Sequence, residues 1–187
     1  TSHFLGQHFP KTFEVKYFTK ENREEFVWAT SWGVTTRLIG ALIMTHSDDD
    51  GLIVPPRIAP TQVVIVPIPK PSEEILEVAN KIAAQLKEKG VRVQVDTDDT
   101  KRPGFKFADH ELKGTPIRLG LGKRDIENGV VEVARRDTKE KTSVALDGID
   151  DYVVSLLEEI QSNMFETAKN FRDDHITEVE NFDSFKQ

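Results

Sequence analysis

The feature that most restricts the fold of this chain is a strand–helix–strand pattern between residues 61 and 95. Four consecutive aliphatic residues at 63–66 lack polar alternation, which predicts a strand buried on both faces. Ser72 then provides a helix N-cap and Gly90 a helix end, with an apolar stripe between them at helical spacing. Val91, Val93 and Val95 alternate as a second strand. Such a unit almost always joins parallel strands through a helix.

Further strands are predicted at residues 117–121, 131–133 and 143–146, and apolar spacing predicts a long helix over residues 153–171. We therefore expect an α/β fold with a mixed sheet of about five strands flanked by helices.

Residues 1–60 lack this alternation of strands and helices. The sequence predicts an extended segment at 13–18, a helix at 28–44 and a proline-rich connector at 53–60. The predicted domains are 1–60, 61–160 and 161–187. Because the chain begins with Thr1 in the middle of an apparent motif, we expect a piece of a longer protein in which residues 1–60 are disordered or packed in a non-native way. The polar tail from Arg172 onward is expected to be poorly held.

Composition excludes several classes of chemistry. There is no cysteine, which removes disulfides, thiolate nucleophiles and cysteine zinc ligands. The five histidines are scattered, so we predict no metal site. No apolar run approaches the roughly 20 residues of a membrane span, so we predict a cytoplasmic protein without membrane contact.

Charge is distributed unevenly along the chain. Residues 101–141 contain 11 Lys or Arg and 7 Asp or Glu, so their net charge is +4. Because the whole chain has a net charge of −7, the other residues together have a net charge of −11. A basic segment inside an acidic chain is compatible with nucleic-acid binding, although a solvated surface of mixed charge is the commoner explanation of such a segment.

The strand around Arg118 is the most informative candidate site. A period of two places Arg118, Gly120 and Gly122 on one face, where glycines suggest close approach by a ligand such as a nucleobase. Arg124 and Asp125 follow directly, and guanidinium and carboxylate groups suit the two edges of guanine. The alternative is a strand bend followed by a charged turn.

Residues 102–114 combine cations, aromatic rings and acids, as single-stranded RNA sites do, but an amphipathic helix with core phenylalanines fits nearly as well. Other signals are weak. Residues 120–123 lack the spacing of a phosphate-binding loop, and the acidic groups at 48–50 and 96–99 are expected to be solvated turns.

Several long motifs make the chain resemble a known family. Residues 1–9, 30–40 and 51–60 resemble the proline pocket, the third signature motif and the catalytic-domain exit of class II prolyl-tRNA synthetases of the archaeal and eukaryotic-like type. Residues 104–107, 111–118, 124–125 and 135–138 continue the resemblance into that family's anticodon-binding domain. The expected architecture is thus an anticodon-binding domain preceded by an incomplete strip of a class II catalytic domain.

The resemblance implies roles for individual residues. Arg37 would be the catalytic arginine that contacts ATP, with Thr35 beside the nucleotide. Another set would line the proline pocket: Thr1, His3, Ser31 and Trp32. The two guanines shared by proline anticodons would be recognised by Glu111, Arg118, Arg124, Asp125 and Lys141.

The resemblance also implies a proline–tRNA ligase that uses ATP with Mg²⁺, binds proline tRNA and forms a homodimer. The first two class II motifs are absent here, so this piece alone is expected to be inactive, without a cofactor and monomeric. Two alternatives stay open: a module of the same fold that binds protein, and a small-molecule enzyme that uses the Gly120–Gly122 strand as a pocket floor. The second has little support because no nucleophile or acid–base pair converges there.

Overall fold

A computed structural model describes residues 1–186, which divide into two compact units, one from Thr1 to Ala41 and one from Leu42 onward. Within the described residues, no helix is both long and apolar enough to span a membrane.

The first unit contains short antiparallel ribbons. Strand β1 (Ser2–Gly6) pairs with β4 (Ala29–Trp32), and β2 (Lys16–Phe18) pairs with β3 (Glu24–Phe26). Helix α1 (His8–Thr12) follows β1, and helix α2 (Arg37–His46) begins in this unit. The structure corrects one expectation: residues 29–32 are a strand rather than the start of a helix, because β1 supplies the hydrogen-bonding partners. The expected disorder or non-native packing of residues 1–60 stays a prediction.

The second unit is built on a five-stranded mixed sheet in the order β6-β5-β7-β8-β9, which confirms the predicted fold class. Its strands are β5 (Val63–Ile68), β6 (Val93–Val95), β7 (Ile117–Gly122), β8 (Val130–Arg135) and β9 (Lys141–Ala145). The strands β6, β5 and β7 run parallel, whereas β8 and β9 are antiparallel to their neighbours. The unbroken aliphatic run of β5 is completely buried because this strand has neighbours on both edges and layers on both faces.

Helices α3 (Glu73–Glu88) and α6 (Ile149–Asp174) cover one face of the sheet. The Ser72 hydroxyl accepts a hydrogen bond from the Ile75 amide and caps α3, as the sequence predicts. The core of this layer joins the odd-numbered residues of β5, β7 and β8 to the apolar stripes of the two helices, including Val63, Ile65, Leu119, Val133, Leu86 and Ile160. Helix α5 (Lys123–Glu127) follows β7, and α7 (Phe182–Phe185) lies in the exposed tail.

Helix α4 (Pro103–Leu112) packs against the opposite face, where it is held by a buried polar cluster. The Asp96 carboxylate accepts from Lys106 Nζ at 2.9 Å and lies 3.1 Å from His110 Nε2. Burial alone would raise the pKa of Asp96, but hydrogen bonds from Lys106 and His110 outweigh it and hold the pKa below its ordinary value. The cluster fixes the side of α4 that faces the sheet.

The segment before β5 is fastened to the end of α4. The Leu52 amide donates to the Leu112 carbonyl at 3.1 Å, and the Val54 amide donates to Gly114 at 3.4 Å. Residues 42–60 thus belong to the second compact unit, whereas the sequence places a domain boundary near residue 60. The predicted domain limits stay a prediction, because compactness alone does not define a functional domain.

Gly114 is required at this junction, and its replacement gives a direct test. It has φ +72°, and a Cβ there would lie 2.8 Å from Leu52 atoms. Gly90 has a similar φ of +77° with open space around it, so it is a matched control for backbone strain alone. We expect Gly114→Ala to lower the free energy of unfolding by about 1–3 kcal/mol more than Gly90→Ala does, measured by urea denaturation. Equal losses would show that the contact with Leu52 is unimportant.

Candidate nucleic-acid interface

Arg118 lies on the sheet face that α4 partly covers, but it is buried rather than displayed. Only 4 % of the residue is exposed. Its Nη1 donates to Glu132 Oε1 at 3.1 Å, and its guanidinium carbon lies 3.7 Å from the centroid of the Phe107 ring. The expectation of an exposed guanidinium on an open strand face is therefore wrong, because the helix contributes a ring and the neighbouring strand contributes a carboxylate.

The glycines of β7 make room for the protein's own atoms. Gly120 is opposite Glu132 in the sheet register, and a Cβ at Gly120 would lie 3.4 Å from Glu132 Oε1 and 3.5 Å from Arg118 Nη1. A Cβ at Gly122 would lie 3.1 Å from Asp125 Oδ2. The expectation that these glycines leave a bare floor for a base is wrong, since the ion pair and a helix cap use the space.

One edge of the Arg118 guanidinium nevertheless has no partner. Among residues 1–186, Nε and Nη2 are buried and make no hydrogen bond. These two nitrogens form one side of the planar guanidinium fork, which can donate two parallel hydrogen bonds to a ligand. Buried hydrogen-bond donors in proteins nearly always have an acceptor, so two buried nitrogens without one need a physical explanation.

Arg118 forms part of a cleft of about 80 Å³, which we call the Arg118 cleft. Its lining combines residues from α4, β7, β8, β9 and the segments beside them: Asp50, His110, Glu111, Thr115, Arg118, Ala134, Arg135, Arg136, Lys139 and Lys141. Three of the five predicted anticodon residues, Glu111, Arg118 and Lys141, thus meet in one cleft, although they come from three different elements, α4, β7 and β9.

Most of the cations in the Arg118 cleft are already neutralised. Arg136 pairs with Asp48, Lys139 pairs with Asp48 and Asp50, and Arg135 pairs with Asp137 and Glu159. In contrast, the side chains of Glu111 and Lys141 are exposed and have no hydrogen bond or ion pair within residues 1–186. Among residues 1–186, the charged groups of the cleft lining that lack a partner are therefore a guanidinium edge, an ammonium and a carboxylate.

Arg124 and Asp125 do not line this cleft. They lie in α5, directly after β7, where Arg124 is exposed. Asp125 Oδ2 accepts a hydrogen bond from the Gly122 amide at 2.8 Å and caps the start of the helix. At least one oxygen of this predicted guanine ligand thus has a structural role in the described chain.

The residues predicted to bind proline and ATP lie in the first unit. His3 pairs with Ser31 across the ribbon, and the Thr1 amino group donates to the Gly33 carbonyl at 2.8 Å. Trp32 pairs with Ser2, so alternation places it on the ribbon face opposite His3. Its side chain is 81 % exposed.

Thr35 and Arg37 follow the ribbon, and both are exposed. The Thr35 carbonyl accepts from Leu38 in the turn before α2, and Arg37 is the first residue of that helix. The ligand roles of all these N-terminal residues stay predictions.

Sequence reasoning missed two groups that shape the cleft. Glu132 had a detectable signal, because Val131 and Val133 face the core and the residue between them must face Arg118. The clamp between Arg136 and Asp48 spans 88 positions, so no local pattern could reveal it. Its two Arg136–Asp48 hydrogen bonds are 3.0 and 2.6 Å long, and Arg136 Nε donates to the Glu111 carbonyl at 3.1 Å. The acidic group at 48–50 is therefore an anchor for the cleft rather than a solvated turn.

Within residues 1–186, no group of three or more His, Cys, Asp or Glu side chains is placed to hold a metal ion.

Comparison with known proteins assigns the five-stranded sheet to a known family. The model of the anticodon-binding domain family matches residues 62–156, which are 95 of the 187 residues and include the whole sheet. The chain therefore belongs to the anticodon-binding domain family.

The full length of the chain is also similar to proline–tRNA ligases. It is 58 % identical to the one from Bacteroides fragilis and 55 % identical to the one from Phocaeicola vulgatus, in each case over 100 % of this chain and 38 % of the relative. A crystal structure of prolyl-tRNA synthetase from Cryptosporidium parvum, complexed with L-proline and AMP, superposes with a TM-score of 0.83 at 40 % identity. It covers 97 % of this chain, which corresponds to 40 % of that one. The chain thus spans less than half the length of the relatives it matches.

The Asp48–Arg136 clamp predicts how acid acts on stability. Hydrogen bonds from Arg136 lower the pKa of Asp48 far below its ordinary value. Because the folded-state pKa is depressed, the stabilisation is complete above the ordinary carboxyl pKa of about 4 and is lost as the pH falls below it. We expect Asp48→Asn to cost about 1.5–3 kcal/mol at pH 7, and the difference from the unmodified chain should shrink towards pH 2.

Denaturant unfolding at several pH values checks this, with the exposed neighbour Asp49→Asn as the control. A difference between Asp48→Asn and the unmodified chain that stays constant down to pH 2 would contradict the account.

Proposed function

We propose that this chain is the anticodon-recognising part of a proline–tRNA ligase and that the Arg118 cleft binds one of the two anticodon guanines. The observation on which the proposal depends is the unpaired Nε and Nη2 edge of Arg118, a residue that lines the cleft. Two parallel N–H donors match the O6 and N7 acceptors of guanine, whereas adenine presents a donor in place of O6.

The other free groups complete the complementarity. The Glu111 carboxylate can accept hydrogen bonds from N1–H and from the N2 amino group of guanine. Lys141 supplies a positive charge that can contact the phosphate backbone. Because Arg136 and Lys139 are already paired with Asp48 and Asp50, the site combines one specific contact to the base with modest electrostatic attraction for the RNA backbone. Both donor atoms of Arg118 are shielded in the free chain, so binding requires the cleft walls to move slightly.

Arg124 and Asp125 are proposed to contact the second guanine at the start of α5. The exposed guanidinium of Arg124 and the unused oxygen of Asp125 are available there. This subsite rests on sequence resemblance more than the Arg118 cleft does.

The activity of the whole protein is part of the same proposal. A parent enzyme would ligate proline to its tRNA through an ATP-dependent adenylate, with Mg²⁺, in the cytoplasm and as a homodimer. Arg37 would stabilise charge on the ATP phosphates, with Thr35 beside the nucleotide, and Thr1, His3, Ser31 and Trp32 would line the amino-acid site. The solved relative with bound L-proline and AMP supports this assignment, at 40 % identity.

The direct test is binding of this chain to a proline anticodon stem–loop and to versions in which each guanine is replaced by adenine. Arg118→Ala should remove about 1–3 kcal/mol of discrimination at one guanine position, with little change for the mismatched RNA. Arg118→Lys should behave similarly, because it keeps the charge and loses the fork.

The matched control is Arg57→Ala, which removes the same charge from a surface arginine that pairs with Glu158 on α6. A protein-binding module would show no guanine preference in the unmodified chain and no RNA binding that weakens as salt rises. That result would refute the proposed function.

A further inference from the structure

We propose that Glu132 is a positioning residue that determines which edge of Arg118 recognises the base. The inference rests on the proposed function and assigns a specificity role to a residue whose side chain lies on the sheet face opposite the apolar core. Glu132 accepts from Nη1 of Arg118 at 3.1 Å and leaves Nε and Nη2 unpaired.

The carboxylate first explains how a guanidinium can be buried before any ligand arrives. An isolated buried charge is strongly unfavourable, and a hydrogen-bonded counter-charge offsets part of that cost. The Arg118 side chain is 5 % exposed, whereas the Glu132 side chain is 42 % exposed. The glutamate therefore keeps contact with water while it anchors the arginine, an arrangement that supports the free state without filling the cleft.

The anchor also limits how the guanidinium can turn. The Phe107 ring lies 3.7 Å from the guanidinium carbon and restricts its tilt, and Glu132 holds one terminal nitrogen by a hydrogen bond. Because Nη1 is committed to Glu132, the edge formed by Nε and Nη2 is the one without a hydrogen bond, and it can donate to a base once the cleft walls move. With both constraints present, the fork is set for a bidentate contact before the base enters.

The backbone is adapted to this ion pair. Glu132 is opposite Gly120, and a Cβ there would come within 3.4 Å of Glu132 Oε1 and 3.3 Å of Ile68 Cδ1. A side chain at position 120 would compete with the carboxylate for the space beside Nη1. The absence of a side chain at Gly120 thus leaves room for the contact between Arg118 and Glu132.

A positioning role and a purely electrostatic role make opposite predictions for RNA binding. Glu132 is a negative charge close to the proposed RNA site, so removing it should leave the affinity for mismatched RNA unchanged or increase it. If the residue positions Arg118, the same change should reduce selectivity for guanine. Loss of selectivity without loss of general affinity is a result that simple misfolding does not produce.

The experiment compares binding of the 187-residue chain to a proline anticodon stem–loop and to versions with 7-deazaguanine at each guanine in turn. This base keeps O6 and lacks the N7 acceptor. In the unmodified chain, the substitution should weaken binding about ten-fold at one position. Glu132→Ala should reduce that ratio to about two-fold or less, whereas Glu132→Gln, which keeps an acceptor oxygen, should retain most of it.

Glu77→Ala is the matched control, because it removes the same charge from an exposed position of α3 on the other side of the sheet. Glu132→Asp has a side chain that is one methylene shorter, so it should lose selectivity as Glu132→Ala does. If Glu132→Ala does not fold, Glu132→Asp takes its place in the experiment. Full selectivity in both Glu132→Ala and Glu132→Asp, together with its loss in Arg118→Ala, would overturn the role of Glu132 and leave the proposed function intact. No preference for N7 or guanine in the unmodified chain would overturn both.

Discussion

The contact between Arg118 and Glu132 is the interaction on which the candidate site depends. It places a guanidinium beneath the sheet surface, satisfies one of its nitrogens and leaves two others unpaired among the described residues. Without the carboxylate, burial of this cation would be too unfavourable, and without Phe107 its plane would be undefined. The chemistry of the site thus follows from a strand pairing that puts β8 beside β7 in one register.

The layers of the fold explain why the cleft is where it is. Helices α3 and α6 close one face of the sheet, while α4 covers only part of the other. The Asp96–Lys106–His110 cluster holds the sheet side of α4, and the Arg136–Asp48 clamp holds its C-terminal end through the Glu111 carbonyl. Glu111 is therefore presented at the rim of the cleft by two polar anchors instead of by apolar packing.

The periodic elements of the second unit were predictable because their signals are local. The aliphatic run of β5 and the capped stripe of α3 specify strand and helix through neighbouring residues alone. The ligand set at Glu111, Arg118 and Lys141 came from family resemblance, and the structure brings these residues together. The burial of Arg118 was missed because it depends on the packing of Phe107 and on the pairing of β8 with β7, and the alternation around Glu132 specifies neither of these. The ribbon at residues 29–32 was missed for a similar reason, since its partner strand is far away in sequence.

The most direct measurement of the central claim is the NMR signal of the Arg118 Nε–H group, identified by its loss in Arg118→Lys. If this edge donates to guanine, adding the proline anticodon stem–loop should shift the signal and slow its exchange with water, and the adenine-substituted RNA at the same position should not. An Nε–H signal that stays unchanged while signals from Glu111 and Lys141 respond to the RNA would contradict the account.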